Sequence, residues 1–210
     1  MRARPVRRYS LLALLTAALV AVALQSAAQA GTSQIVDHKF FPLVPGTTFK
    51  YTAPGKTITV KVLDKTKVIQ GHESQEVQTR ERENGKITEE FHDWYFQGSG
   101  GTVWYMKHTD KTHPDENWEA GKDGAKQGTY LPANPKEGDS WKRTRAPNAG
   151  REGRDKAVAY GVSDKNLKIK VSSYANLYPE TVRFYYKAGT GLVMIKDKDE
   201  TTKLQSVSKP

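Results

Sequence analysis

Apolar and polar side chains alternate along most of this chain. In Thr57-Ile58-Thr59-Val60-Lys61-Val62, the residues Ile58, Val60 and Val62 share one face. Asn166–Ser173 repeats the pattern with Leu167, Ile169 and Val171 against Lys168 and Lys170, and Glu180–Lys187 with Val182, Phe184 and Tyr186. A period of two is the signature of a strand with one buried face. Between the runs stand turn formers: Pro45-Gly46, Pro54-Gly55, Gln70-Gly71, Asn84-Gly85 and Gly189–Gly191. Asn-Gly is a strong two-residue hairpin signal. The pattern predicts strands over residues 47–52, 57–62, 73–82, 86–96, 102–107, 141–145, 156–162, 166–173, 180–187, 192–196 and 201–207. Arg151–Asp155 reads as a charged connector. No 12-residue window after Gly31 follows the helical period. The chain is therefore expected to be all-β, an antiparallel meander curved into a half-barrel or sandwich with one wet face. Residues 108–140 follow neither period, yet hold Trp118, Tyr130 and Leu131. A loop so long and so apolar is expected to pack against the sheet.

The first thirty residues read differently. Arg2, Arg4, Arg7 and Arg8 precede an apolar run, Leu11 to Leu24, broken by Thr16, and Ala28-Gln29-Ala30 has the small-x-small form of a cleavage site. Residues 1–30 are expected to be a signal peptide and 31–210 one β-rich domain, secreted or periplasmic, with no membrane span after cleavage. No cysteine follows the apolar run, which excludes a lipid-modified N-terminal cysteine. The whole chain carries +10; cleavage would remove four of the 33 basic residues and none of the 23 acids, leaving +6. That modest excess is interleaved with acids, so it forms no nucleic-acid patch. With no cysteine at all, neither disulfides nor thiol chemistry are available.

The densest aromatic text is Phe91-His92-Asp93-Trp94-Tyr95-Phe96 and Val103-Trp104-Tyr105-Met106, joined by a glycine-rich turn. Pairing Phe96 with Thr102 sets Trp94 opposite Trp104 and His92 opposite Met106, and puts Asp93 and Tyr105 together on the other face. A tighter turn at Ser99-Gly100 would instead group Trp94 and Phe96 with Val103 and Tyr105. Either way both faces carry aromatics, and one needs cover from the long loop, a ligand or a partner. The candidate ligand site is Trp94, Trp104, Tyr105, Met106 and Trp118, with His92 and Asp93 as polar orienting groups.

Catalytic signatures are missing: there is no G-x-S-x-G, S-x-x-K or H-E-x-x-H, and no EF-hand spacing. No catalytic residue, cofactor or metal ligand is assigned. His108, His113, Asp115, Glu116 and Glu119 cluster in sequence, Asp110, Asp115, Asp123 and Asp139 are candidate oxygen donors without EF-hand spacing, and two carboxylates meeting His108 or His113 would make a metal site.

Several phrases resemble those of a family of uncharacterised secreted bacterial proteins. Phe41–Tyr51 is similar to its opening "FPL-x-PGT-aromatic-x-Y", and Asp93–Gln97 with Gly101–Tyr105 to its "DWYAQD…GNVWY" core. Trp118–Ala125 resembles "WEAG-x-DGA", Pro132–Asp139 "PANP-x-x-GD", and Tyr186–Val193 "YAPGVGLV". Phe96 stands where that pattern has Ala, and Ser99-Gly100 where it has Asp-Gly. The resemblance implies one domain and no catalytic assignment. The opening and closing phrases are also loosely similar to lipoprotein-carrier-like half-barrels of the cell envelope. The expected function is a non-enzymatic binding protein for an apolar or amphiphilic small molecule or cell-envelope component. The alternatives are a protein-interaction module, such as an inhibitor or assembly factor, and a hydrolase or metal-dependent enzyme using the loop 108–139. A closed apolar cavity under residues 108–140 favours the first, a flat exposed aromatic patch the second.

Overall fold

The structure is a computed structural model that describes residues 36–149, 156–173 and 180–210. The expected signal peptide and the connector at 151–155 lie outside the described residues. Thr32–Pro210 forms one compact unit.

The chain opens with a small hairpin, β1 (Val36–His38) and β2 (Phe41–Leu43). The main sheet follows with β3 (Thr48–Ala53), β4 (Lys56–Ile69), β5 (His72–Glu83), β6 (Lys86–Gln97) and β7 (Val103–Asp110). Residues 108–140, read as loop, contain a 3-10 turn at Pro114–Glu116 and two short strands, β8 (Trp118–Glu119) and β9 (Gly128–Leu131). Then come β10 (Ser140–Lys142), β11 (Lys156–Tyr160), β12 (Asn166–Ser173), β13 (Glu180–Lys187), β14 (Gly191–Lys196) and β15 (Thr201–Ser208). The fold is all-β and antiparallel as expected, in a strongly curved sheet that does not close into a barrel.

Most neighbours in sequence are neighbours in the sheet, but β9 pairs with β7, and the last strand, β15, pairs with β3. This places the carboxyl-terminal meander β10–β15 on one side of β3 and the amino-terminal meander β4–β8 on the other. The two halves fold towards each other. β8 and β9 both pair with β7 at one end of the sheet, and β10 forms the other end. The ends meet at a seam made of one backbone bridge, Lys126 to Arg145, and a bond from Trp141 Nε1 to the Tyr130 carbonyl at 3.3 Å.

Local chemistry explains the turns and bulges. Gln70-Gly71 and Asn84-Gly85 both have positive φ at both residues (49° and 79°, 49° and 80°), the mirror-image turn that suits the twist of a two-residue hairpin. The long β4–β5 ladder is broken between Val62 and Thr66. Gln75, buried there, donates its side-chain amide to the carbonyls of Leu63 and Lys65, which the break leaves without ladder partners.

The outer face is tied by ion pairs. Glu119 on β8 accepts from Lys67 of β4 at 2.7 Å, Lys107 of β7 at 2.8 Å and Lys122 at 2.9 Å. Burial alone would raise its carboxyl, but the three ammonium groups outweigh burial and hold it at about 2, below the usual 4.5. Glu90, bonded first to Lys111 and then to Arg80, is likewise held at about 2. A depressed folded-state pKa contributes stability that is complete above about 4.5 and is lost as pH falls towards 2. Thermal melts should therefore show the melting temperature falling steadily from pH 4.5 to 2. The Glu119→Gln variant should melt lower at pH 7 and lose less on acidification. Parallel curves for the two proteins would show that Glu119 is not ion-paired in the fold.

Candidate functional site

Curvature forms a partly open cavity of about 490 Å3 on the inner face of the sheet. That volume lies within the ordinary range for small-molecule sites. Reading across the ladder, residues that face the cavity form rows. One row runs Tyr51, Ile58, Glu81, Glu89; the next Phe49, Val60, Thr79, Phe91, Asp110. A third runs Val77, Asp93, His108, and the last joins Tyr95 to Tyr105. Three row spacings at two residues each make about 20 Å from first to last.

The two walls differ in chemistry. β6 and β7 present Glu89, Asp93, Asp110, Tyr105 and His108. The facing wall is apolar: Val182 and Phe184 from β13, Leu192 and Ile195 from β14, and Ile58 and Val60 from β4. These six side chains are only half-buried although they point inward. Arg143 lies at the seam with its guanidinium 4.3 Å from the Tyr130 ring and 4.9 Å from the Phe184 ring. The β1–β2 hairpin covers the end beside Tyr95. Phe41 packs edge-on to Tyr95 at 5.2 Å and against Tyr130 at 4.4 Å. The hairpin is fastened there by the bonds from Asp37 N to Gln97 Oε1, His38 Nε2 to the Pro132 carbonyl, and Gly189 N to the Lys39 carbonyl.

A buried polar triplet sits in the wall. Tyr105 donates its hydroxyl to Asp93 Oδ1 at 2.5 Å, and His108 Nδ1 lies 2.8 Å from the same oxygen. A carboxylate can only accept, so Nδ1 carries the proton that faces Asp93. The Nε2 of His108 is buried and has no hydrogen-bond partner. Tyr105 and His108 are three residues apart, a spacing that puts side chains on opposite faces of a regular strand. A bulge at Met106 changes the parity, so both face inward.

Glu89, Asp110 and His113 also converge, with ligand-bearing atoms within 4.8 Å of one another. His113 thus meets two carboxylates, the arrangement named above for a metal site. Asp110 Oδ1 is already committed to the backbone N–H groups of Thr112 (2.6 Å) and His113 (3.0 Å), and Oδ2 lies 3.5 Å from His113 Nδ1. A turn closed by an aspartate accounts for that placement without an ion. The Glu89 carboxyl is pushed above its usual range, first by burial and then by the charges of Asp110 and Glu81.

Of the seven residues singled out from the sequence, Asp93 and Tyr105 line the cavity. Trp118 lies beside His108 across the β7–β8 pair and supports Tyr105 edge-on at 4.9 Å. Met106 is consumed by the bulge and fully buried. Trp94, Trp104 and His92 lie on the other face of the hairpin. Trp94 is covered by Lys107, whose Nζ sits 4.8 Å from the ring, and His92 bonds Glu76 at 2.5 Å. Phe96 pairs with Trp104, a register two residues away from the pairing of Phe96 with Thr102. Asp93 and Tyr105 share a face in both. Phe91, Tyr95 and Glu89 carried a signal that could have been followed, the inward alternation through Asp93. His108 was marked by its loop neighbours, not by its position in a strand. The apolar wall carried no such signal.

An all-β sheet curved around a two-sided cavity defines the class of protein. No protein-family model and no curated protein matches the chain, so the family resemblance rests on its motifs. Among solved structures, the chain is similar to a Bacteroides fragilis protein described as exported and as having a YmcC-like fold. The identity is 12%, over 82% of this chain and 100% of that one, with a TM-score of 0.44.

Proposed function

We propose that this protein is a secreted or periplasmic non-enzymatic carrier, and that it holds an amphiphilic molecule inside the curved sheet. The observation that carries the proposal is the cavity itself. Half-buried apolar side chains face a partly open cavity of about 490 Å3, opposite a wall with a few convergent polar groups. Unfilled apolar surface of this kind is costly in water and is what an apolar tail would cover. The aromatic cluster favours a carrier over an interaction module, because Trp94, Tyr95, Phe96 and Trp118 are buried within the fold and form no flat exposed patch.

Two measurements test this. Native mass spectrometry of protein purified from its own envelope should show a bound amphiphile. The fluorescent apolar probe 1-N-phenylnaphthylamine should bind the purified chain. Val60→Trp, which fills the cavity, should weaken that binding by about tenfold or more, whereas Val68→Trp, on an exposed side chain, should leave it unchanged. Equal probe binding by both variants, with native circular dichroism, would overturn the carrier.

A further inference from the structure

Charge is divided unevenly between the two meanders. Strands β4 to β8 hold ten acids against eight Lys or Arg, whereas β11 to β15 hold seven Lys or Arg and one acid, Glu180. In the first meander opposite charges meet across the ladder: Arg80 is in register with Glu90, and Lys107 with Glu119. In the second, cations meet cations. Lys170 lies directly opposite Arg183, and Arg183 directly opposite Lys196. Their strand neighbours Ile169, Val171, Phe184 and Ile195 belong to the inner face, so this row stands on the outer one. Opposed Cβ atoms are about 5 Å apart, and like charges so placed repel. Among the described residues, none of the seven cations joins an ion pair. The next row of the same face runs Tyr160, Lys168, Tyr185, Met194 and Lys203. Lys168 Nζ lies 5.9 Å from the Tyr185 ring, and Lys170 Nζ 5.5 Å from the Tyr160 ring. An open hollow of about 500 Å3 is lined by Lys168, Tyr185, Met194 and Lys203 among others.

We infer that this outer face docks on an anionic phospholipid surface, with Lys170, Arg183 and Lys196 over the headgroups and one headgroup seated in the hollow between Lys168 and Lys203. The inference goes beyond the carrier reading and does not depend on what fills the cavity. Charge complementarity carries it. A row of opposed cations without acids is destabilised by its own repulsion, and a negative surface laid over it removes that cost. The layout selects the partner. The cations occupy four adjacent strands, β12 to β15, and three strand spacings make about 15 Å. A two-dimensional array of this kind matches a plane of headgroups better than a single polymer strand, which one line of charge would serve. Tyr160, Tyr185 and Met194 are half-buried between the cations, and such amphipathic side chains suit the level of lipid headgroups. The exposed large apolar side chains, Val68 and Ile87, stand on β4 and β6 instead. Docking on this face therefore rests on charge without an inserted wedge, and is sensitive to salt.

The test is co-sedimentation of the purified protein with vesicles of phosphatidylcholine alone or mixed with phosphatidylglycerol. Binding to the anionic vesicles should be at least about tenfold tighter than to the neutral ones at low salt, and should weaken about tenfold or more between about 50 and about 300 mM NaCl. The double variant Lys170→Gln with Lys196→Gln should bind anionic vesicles about tenfold or more weakly, since each cation near such a surface contributes about fivefold. Lys65→Gln with Lys86→Gln removes the same charge from exposed side chains of the other meander and should change binding less than about twofold. Lys203→Gln alone, on the neighbouring row, should weaken binding about fivefold, so the outcome does not hang on the folding of one double variant. Equal binding to neutral and anionic vesicles would overturn the inference. Equal losses in the two double variants would reduce it to net charge and overturn the assigned face. If alginate at the same concentration of negative charge strips the protein from the vesicles, the face fits a soluble polyanion and the membrane assignment falls. None of these outcomes touches the binding of 1-N-phenylnaphthylamine, so the carrier stands or falls separately.

Discussion

Gly128→Ala is expected to lower the melting temperature by about 10 °C, while Gly100→Ala leaves it nearly unchanged. Gly128 sits where β9 is held between β7 and the segment at Arg143. It pairs with Tyr105 on one side, and a methyl group built on its other side would lie 1.8 Å from the Arg143 carbonyl oxygen. Backbone on both sides cannot yield as a flexible side chain would. The two strands must separate, and the Lys126–Arg145 bridge beside them must follow. Overpacking of a tight contact costs about 1–3 kcal/mol, and backbone against backbone belongs at or above the top of that range. At about 2–4 °C per kcal/mol for a domain of this size, the shift is near 10 °C. Gly100 has nothing within 4 Å and no positive φ, so it controls for generic loss of glycine. Differential scanning calorimetry of the two variants decides the matter. Indistinguishable melts would mean that the sheet ends do not meet as described, and the cavity would lose its seam.

The second large effect concerns the polar triplet. Asp93→Ala should destabilise the protein by about 3 kcal/mol, because it removes the shared carboxylate oxygen of the Tyr105 hydroxyl and His108 Nδ1 and leaves their weaker mutual contact at 3.2 Å. His108→Phe should cost less, since it removes a polar group together with its need for a partner. Urea unfolding of the wild type, both single variants and the double variant forms a cycle, and residues in contact in one network give coupling energies of about 0.5–3 kcal/mol. Strict additivity would show that Asp93 and His108 do not touch.

Much of the sheet was legible in particular residues. Leu167, Ile169 and Val171 point inward and are buried, as their alternation with Lys168 and Lys170 requires. Asn84-Gly85 makes the hairpin turn that its chemistry favours. Asp93 and Tyr105 share a face because their parity survives a register error of two residues. The sequence set Trp94, Trp104 and His92 beside Asp93 and Tyr105 because both faces of the hairpin carry aromatics, and the fold puts those three on the outer face. That face has local cover from Lys107 over Trp94 at 4.8 Å and His72 stacked on Phe96 at 4.1 Å, with Trp104 half-buried beside them.

What the chain's own text determined is strand, turn and inward parity, because these depend on residues two to four apart and on backbone preferences that act locally. The tertiary structure decided the rest. The bulge at Met106 turned Tyr105 and His108 to the same side, the pairing of β15 with β3 brought Leu192 and Ile195 opposite Asp93, and the seam at Gly128 drew the sheet ends together. Each is a contact between segments far apart in the chain, set by which surfaces can be buried together, and no local pattern encodes that.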